Sequence, residues 1–136
     1  MIVTSKDLFN KCYGRYTIPA VNVFTMEQVL GLFKAGAQAS APFLVQLTPV
    51  ARNHASPIMM MAMINAAAKI YPKAIYCVHL DHGNEAHAFD AIKSNQYQSV
   101  MIDASHDDFE NNIKRTSEVV KQHTKTVFLL KLNWAY

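Results

Sequence analysis

A regular alternation of apolar and amphipathic stretches leaves this chain few possible folds. Short, almost uninterrupted apolar runs (18–24, 43–47, 75–80, 99–102 and 126–132) recur about every 25–30 residues, with a longer amphipathic stretch between each pair. Runs without polar alternation suit strands covered on both faces, and an intervening helix carries the chain back so that the next strand lies parallel. The amphipathic stretches carry helix punctuation. Residues 5–13 predict a helix with Ser5 as cap and Gly14 as stop. Thr25 and Gln28 form a capping-box pair opening a helix to about Ser40, and Ser56-Pro57 opens another that ends before Pro72. Residues 85–94 and 107–123 complete the helical set.

A βα repeat of this kind predicts an α/β fold around a parallel sheet, either an open doubly wound sheet or a (β/α)8 TIM barrel. No glycine-rich phosphate loop follows the first run, where Asn22, Val23, Phe24 and Thr25 stand, and the chain has only 4 glycines. The balance tilts to the barrel, with four to five βα units present in this chain.

Composition narrows the function classes. With 136 residues, 51% hydrophobic and 17% charged, the chain suits one domain with its own core. A net charge of +3, with Lys34, Arg52, Lys69, Lys93, Lys114, Arg115 and Lys121 scattered, argues against a nucleic-acid partner. Cys12 and Cys77 lie far apart without a CxxC pair, which fits reduced cytosolic thiols. No apolar stretch approaches the ~20 residues that span a bilayer, and the N-terminus lacks a signal-peptide core. A soluble, cytoplasmic protein with no membrane partner is expected.

The polar residues are informative by placement. Asn22 closes the first run and Thr48 the second; His79, Asp81 and His82 close the third; Asp103 and Ser105 close the fourth. In a parallel barrel, chemistry gathers at that end of the strands. The densest cluster is VHLDHGNE, 78–85, where an imidazole can ligate metal and a neighbouring carboxylate can move a proton. In an extended segment His79 and Asp81 share a face and His82 points away. Asp81 and His82 therefore converge only if the strand has ended, and Gly83 permits that turn.

Blander roles compete. His79 reads first as a hydrogen-bonded core histidine, and a single histidine such as His82 holds no metal. Asp81 and Asp103 could cap helices, as could Ser105 for the helix near 107. His54, His87, His106 and His123 read as solvated, and Met59, Met60, Met61 and Met63 as helix packing.

The runs IPAVNVFTMEQVL (18–30), APFLVQLTP (41–49), VHLDHGNE (78–85) and SVMIDAS (99–105) resemble, in order and spacing, the class II fructose-bisphosphate aldolases. The resemblance covers roughly 5–128, and its most specific element is HxDHG followed about twenty residues later by SVMIDxS. It implies zinc-dependent, reversible cleavage of fructose 1,6-bisphosphate to dihydroxyacetone phosphate and glyceraldehyde 3-phosphate, a glycolytic and gluconeogenic step. His82 then corresponds to a zinc ligand. Asp81 corresponds to the acid that protonates the aldehyde oxygen in condensation and removes that proton in cleavage. Asn22 and Thr48 match substrate-contacting positions, the family more often having serine at the latter. Asp103 and Ser105 match a polar shell near the metal, and Ala104 stands where the family often has glycine. A tagatose-bisphosphate aldolase of the same superfamily is the alternative, because Asp81 and His82 would serve either sugar.

The resemblance also implies a second half, with two further zinc histidines, a loop glutamate and a glycine-rich phosphate loop. On that basis the chain is expected to be the N-terminal portion of a barrel domain whose full-length form is a homo-oligomer. Alone it would not complete the site; a non-catalytic fragment that assembles with an intact subunit is the competing expectation. The family's fifth strand typically reads Val-Glu-Ala-Glu-Leu-Gly, whereas residues 129–136 read LLKLNWAY. One encoding of those residues, TTG TTG AAG CTG AAT TGG GCG TAT, gives Val-Glu-Ala-Glu-Leu-Gly-Val when read from its third base. A one-base slip near Leu129 is therefore expected.

Overall fold

The computed structural model describes residues 1–123 and 129–132. The elements run α1 (Ser5–Cys12), β1 (Ala20–Asn22), α2 (Met26–Ala39), β2 (Phe43–Leu47), α3 (Pro49–Ala55), α4 (Pro57–Ile70), β3 (Tyr76–Gly83), α5 (Glu85–Ser94), β4 (Ser99–Ile102), α6 (Phe109–His123) and β5 (Leu129–Leu132). The strands form one sheet in the order β1-β2-β3-β4-β5, every neighbouring pair parallel. Among the described residues each strand lies beside its predecessor, with none of the order reversal that defines a doubly wound sheet. Positions 126–128 of the fifth apolar run, and 133–136 of the expected frame-slipped end, lie outside the described residues. Among the described residues no helix is long and apolar enough to cross a membrane.

Strand alternation divides the sheet into two faces. Phe43, Val45 and Leu47 of β2, Tyr76, Val78 and Leu80 of β3, and Val100 and Ile102 of β4 join the main core with Phe33 of α2, Met60 and Ile64 of α4, and Ile92 of α5. Phe33 meets Phe43 edge-on at 5.2 Å between ring centroids. Gly36 lets α2 approach β2 closely, since a Cβ there would fall 2.2 Å from the Phe43 ring. On the opposite face Leu44 and Cys77 pack with Leu8 of α1, covering the end where the strands begin. Farther along that face the register sets Asn22 beside Gln46, Gln46 beside His79 and His79 beside Ser99. A polar row thus crosses four neighbouring strands.

Local chemistry explains the boundaries. The cap of α1 is Thr4, not Ser5: Thr4 and Asp7 form the capping box, while Ser5 is the first helical residue and is buried. Thr25 and Gln28 form the expected box on α2, and Ser40 closes that helix in the left-handed region. Ser56 caps α4 through the Met59 N–H. The first strand is shorter than 18–24: Pro19 has no N–H for a ladder, and by Thr25 the chain is already capping α2. Helix α3 was not anticipated, although Thr48 as cap and Pro49 in the first turn are ordinary start signals. Buried Met60 and Met61 pack as expected, whereas Met59 is exposed.

Candidate active site

The third strand does not stop at Leu80; it runs through the motif to Gly83, and its register against β4 slips between Leu80 and Gly83. The residue that turns the chain is His82, with φ at +52°, not Gly83. That region is sterically unfavourable for a side-chain-bearing residue. Gly83 is small for a different reason. A Cβ there would lie 2.5 Å from Leu80 Cδ2, inside the core.

The bulge undoes the alternation that would send His82 away from Asp81. Asp81 Oδ1 lies 3.9 Å from His82 Nε2 and 4.0 Å from His79 Nε2. Asp81 is 8% exposed, while the His82 side chain is 54% exposed, so a buried carboxylate faces an imidazole open to an incoming group. His79 is buried and its Nδ1 meets Ser99 Oγ at 2.8 Å. The core-histidine reading therefore holds for burial and bonding, though the same ring also borders Asp81.

Asp103 fixes the exposed ring. Its Oδ2 lies 2.6 Å from His82 Nδ1, and its Oδ1 accepts from Ser105 N–H at 3.1 Å and from the Ser105 hydroxyl at 2.7 Å. The His82 contact first, then the Ser105 hydroxyl, holds this carboxyl down at about 2. An ionised carboxylate only accepts, so His82 Nδ1 is the donor of this bond. The Asp103 N–H donates to Gly83 C=O at 2.7 Å, tying the end of β4 to the bulge.

Asp81, Asp103 and Ser105 are not the caps of the helices that follow them. Asn84 Oδ1 accepts from His87 N–H to open α5, and Asp108 Oδ1 accepts from Asn111 N–H at the start of α6. Asn22 is exposed at the end of β1. Thr48 follows Leu47, which pairs with Leu80, so in register it neighbours Asp81; its Oγ1 accepts from Ala51 N–H at 3.2 Å. All six expected site residues thus lie at the strand ends, but only Asp81, His82, Asp103 and Ser105 form a continuous contact set.

Two residues were missed. Gln46 sits in the polar row without any motif to single it out. Arg52, read as one of the scattered cations, is buried. His54 and His106 are exposed as expected, and the surroundings of His123 lie outside the described residues. His87 is not fully solvated: it packs over Gly83, and burial followed by the nearby Arg52 charge pulls its pKa below the ordinary histidine value.

His82 has the form of a metal ligand, with one ring nitrogen held by a carboxylate and the other, 3.9 Å from Asp81, on a side chain that is 54% exposed. A catalytic zinc takes about three protein ligands. Among the described residues no group of three or more His, Cys, Asp or Glu is placed to hold a metal. The residues present fit one position of such a site and leave the ligand set incomplete.

The chain matches the family described as "Fructose-bisphosphate aldolase class-II" over residues 3–129. A fructose-bisphosphate aldolase from Giardia intestinalis is 36% identical over 106 residues, covering 78% of this chain and 33% of that protein. Fructose-bisphosphate aldolase 2 from Cereibacter sphaeroides is 39% identical over 106 residues, covering 76% of this chain and 30% of that protein. The chain spans about a third of the length of these curated relatives. Among solved structures, the YdjI aldolase from Escherichia coli K12 superposes with a TM-score of 0.88 at 24% identity, covering 100% of this chain and 53% of that one. Fructose-bisphosphate aldolase from Campylobacter jejuni superposes with a TM-score of 0.81 at 18% identity, covering 96% of this chain and 45% of that one. At those identities the superpositions establish the fold alone. The sequence match across nearly the whole chain establishes its kinship: the chain belongs to the class-II fructose-bisphosphate aldolase family.

Proposed function

We propose that this chain is the N-terminal portion of a (β/α)8-barrel aldolase and carries the acid–base group and one zinc ligand for reversible cleavage of fructose 1,6-bisphosphate. The observation behind this reading is the set formed by Asp81, His82 and Asp103 at the end of β3 and β4. In cleavage, the Asp81 carboxylate accepts the proton of the C4 hydroxyl; that oxygen becomes the aldehyde carbonyl, and the C3–C4 electron pair passes to the dihydroxyacetone phosphate fragment. In condensation the same group returns the proton. His82 would hold zinc through Nε2, with Asp103 orienting the ring and Ser105 orienting Asp103. Zinc, when bound, supplies Lewis-acid stabilisation of the charge left on the ketone fragment. Thr48 keeps a hydroxyl hydrogen to donate while its oxygen caps α3, and Asn22 offers an amide at the neighbouring strand end. Both are assigned to substrate contact.

The incomplete ligand set among the described residues favours a companion reading for the chain by itself, that of a non-catalytic partner of an intact subunit. The two separate on purification: stoichiometric zinc and turnover in a coupled cleavage assay would exclude the inert form. The catalytic assignment is tested in a hybrid whose residues after 128 are replaced by the corresponding part of the Giardia relative. There Asp81→Ala is expected to keep zinc and lose cleavage, and His82→Ala to lose zinc. Full cleavage by the Asp81→Ala hybrid would refute the assignment. The family match ends at 129, which supports a frame slip there; the nucleotide sequence decides it.

A further inference from the structure

Arg52 is 4% exposed, and none of the chemistry above uses it. It lies in α3, yet its terminal nitrogens bond α5: Nη2 pairs with the Asp90 carboxylate, and Nη1 donates to His87 C=O at 3.3 Å. Its guanidinium carbon also sits 5.6 Å from the centroid of the Tyr97 ring, which is buried just ahead of β4. One side chain therefore ties together the segments that follow β2, follow β3 and precede β4. A planar guanidinium suits this, because it can bond two partners at once while stacking on a ring.

The point gripped is the first turn of α5, directly after the bulge. His87 is held from both ends, its N–H by the Asn84 side chain at 3.0 Å and its C=O by Arg52. Its Cβ covers Gly83, 3.3 Å from where a Cβ on that residue would stand. Immediately before Gly83, His82 occupies the left-handed region. A side-chain-bearing residue stays there only when its surroundings over-determine the backbone.

We propose that Arg52 is a positioning residue: by anchoring the first turn of α5 over Gly83, it holds His82 in the left-handed conformation that brings its ring to Asp81. The consequence for an aldolase rests on the reading of His82 as a zinc ligand, but the clamp itself does not.

The test is residue-resolved amide hydrogen exchange and backbone chemical shifts on the metal-free chain, comparing Arg52→Met, Arg52→Lys and Asp90→Asn with the parent. The reporter is the Asp103 amide, which donates to Gly83 C=O; the Phe43 amide, bonded to Ile75 C=O across the sheet, serves as the global reference. Arg52→Met should speed Asp103 exchange by at least about tenfold relative to Phe43, as for loss of a charged hydrogen bond from a local opening. It should also move the His82 and Gly83 resonances. Arg52→Lys should fall between parent and Arg52→Met, and Asp90→Asn, which keeps the His87 bond, should change least. If Arg52→Met does not fold, the two milder variants make the same comparison. Equal acceleration at Asp103 and Phe43 would make Arg52 a general stabiliser, and unmoved His82 and Gly83 resonances would likewise overturn the proposal. Because no zinc or sugar is used, a failed aldolase reading leaves this outcome intact.

Discussion

Replacing Gly83 by alanine probes the bulge with a single methyl group. The new Cβ would stand 2.5 Å from Leu80 Cδ2, 3.0 Å from Leu80 Cγ and 3.3 Å from His87 Cβ. The backbone itself accepts alanine, since Gly83 is not among the positive-φ residues, so the penalty is steric. Leu80 is fully buried and must leave its rotamer, or the end of β3 must shift. Overpacking of that kind costs about 1–3 kcal/mol, and alanine recovers roughly 0.4–1 kcal/mol by restricting the unfolded chain. The net expectation is a loss of about 1–2 kcal/mol, or about 4–8 °C in Tm for a domain of this size. Thermal and denaturant melts followed by circular dichroism measure it. A Leu80→Ala partner supplies the control: with the clashing atoms removed, Gly83→Ala should keep only its gain of roughly 0.4–1 kcal/mol, giving a coupling of about 1–3 kcal/mol across the cycle. Unchanged stability for Gly83→Ala alone, or additive effects of the two changes, would refute the claim that Gly83 is small because Leu80 packs onto it.

The same bulge predicts an inverted preference at the preceding residue. His82→Gly should be more stable than His82→Ala by about 1 kcal/mol, because φ is positive there, and denaturant melts of the two variants check it. For Asp103, the bonds from His82 and Ser105 lower the folded pKa from 3.8 to about 2. A depressed pKa means its stabilising contribution is full above the ordinary value and is lost as pH falls toward about 2. Acid unfolding of Asp103→Asn should lack that part of the pH dependence seen in the parent between those limits. Burial pushes the Cys77 thiol up to about 12, so alkylation near neutral pH should label Cys77 only after unfolding, as mass spectrometry of the native and denatured chain would show.

What could be read from the sequence follows from how local the causes are. Thr25 and Gln28 cap α2 with atoms a few residues apart, and the runs at 43–47 and 99–102 appear as strands with the expected bounds. The end of β3 was harder. Period-two alternation treats Asp81 and His82 as opposite-facing, and a register slip against β4 is invisible without the partner strand. The presence of Gly83 pointed at the right place for the wrong reason, because the left-handed residue is its neighbour. Asp103 and His82, 21 residues apart, were placed in one functional shell only through the family resemblance; their bond depends on β3 and β4 being adjacent. Arg52 was read only as one of the scattered cations, since its partners Asp90, His87 and Tyr97 lie far along the chain.

The proposed site turns on which nitrogen of the His82 ring carries the proton. Long-range proton–nitrogen correlation spectra of the histidine side chains in the hybrid carrying the Giardia second half, recorded above the histidine titration range with and without zinc, read this directly. His82 should carry its proton on Nδ1 facing Asp103, and zinc should perturb its Nε2 while leaving the exposed His54 and His106 rings unmoved. A proton on Nε2, or a zinc response confined to other imidazoles, would contradict the assignment of His82 as the ligand.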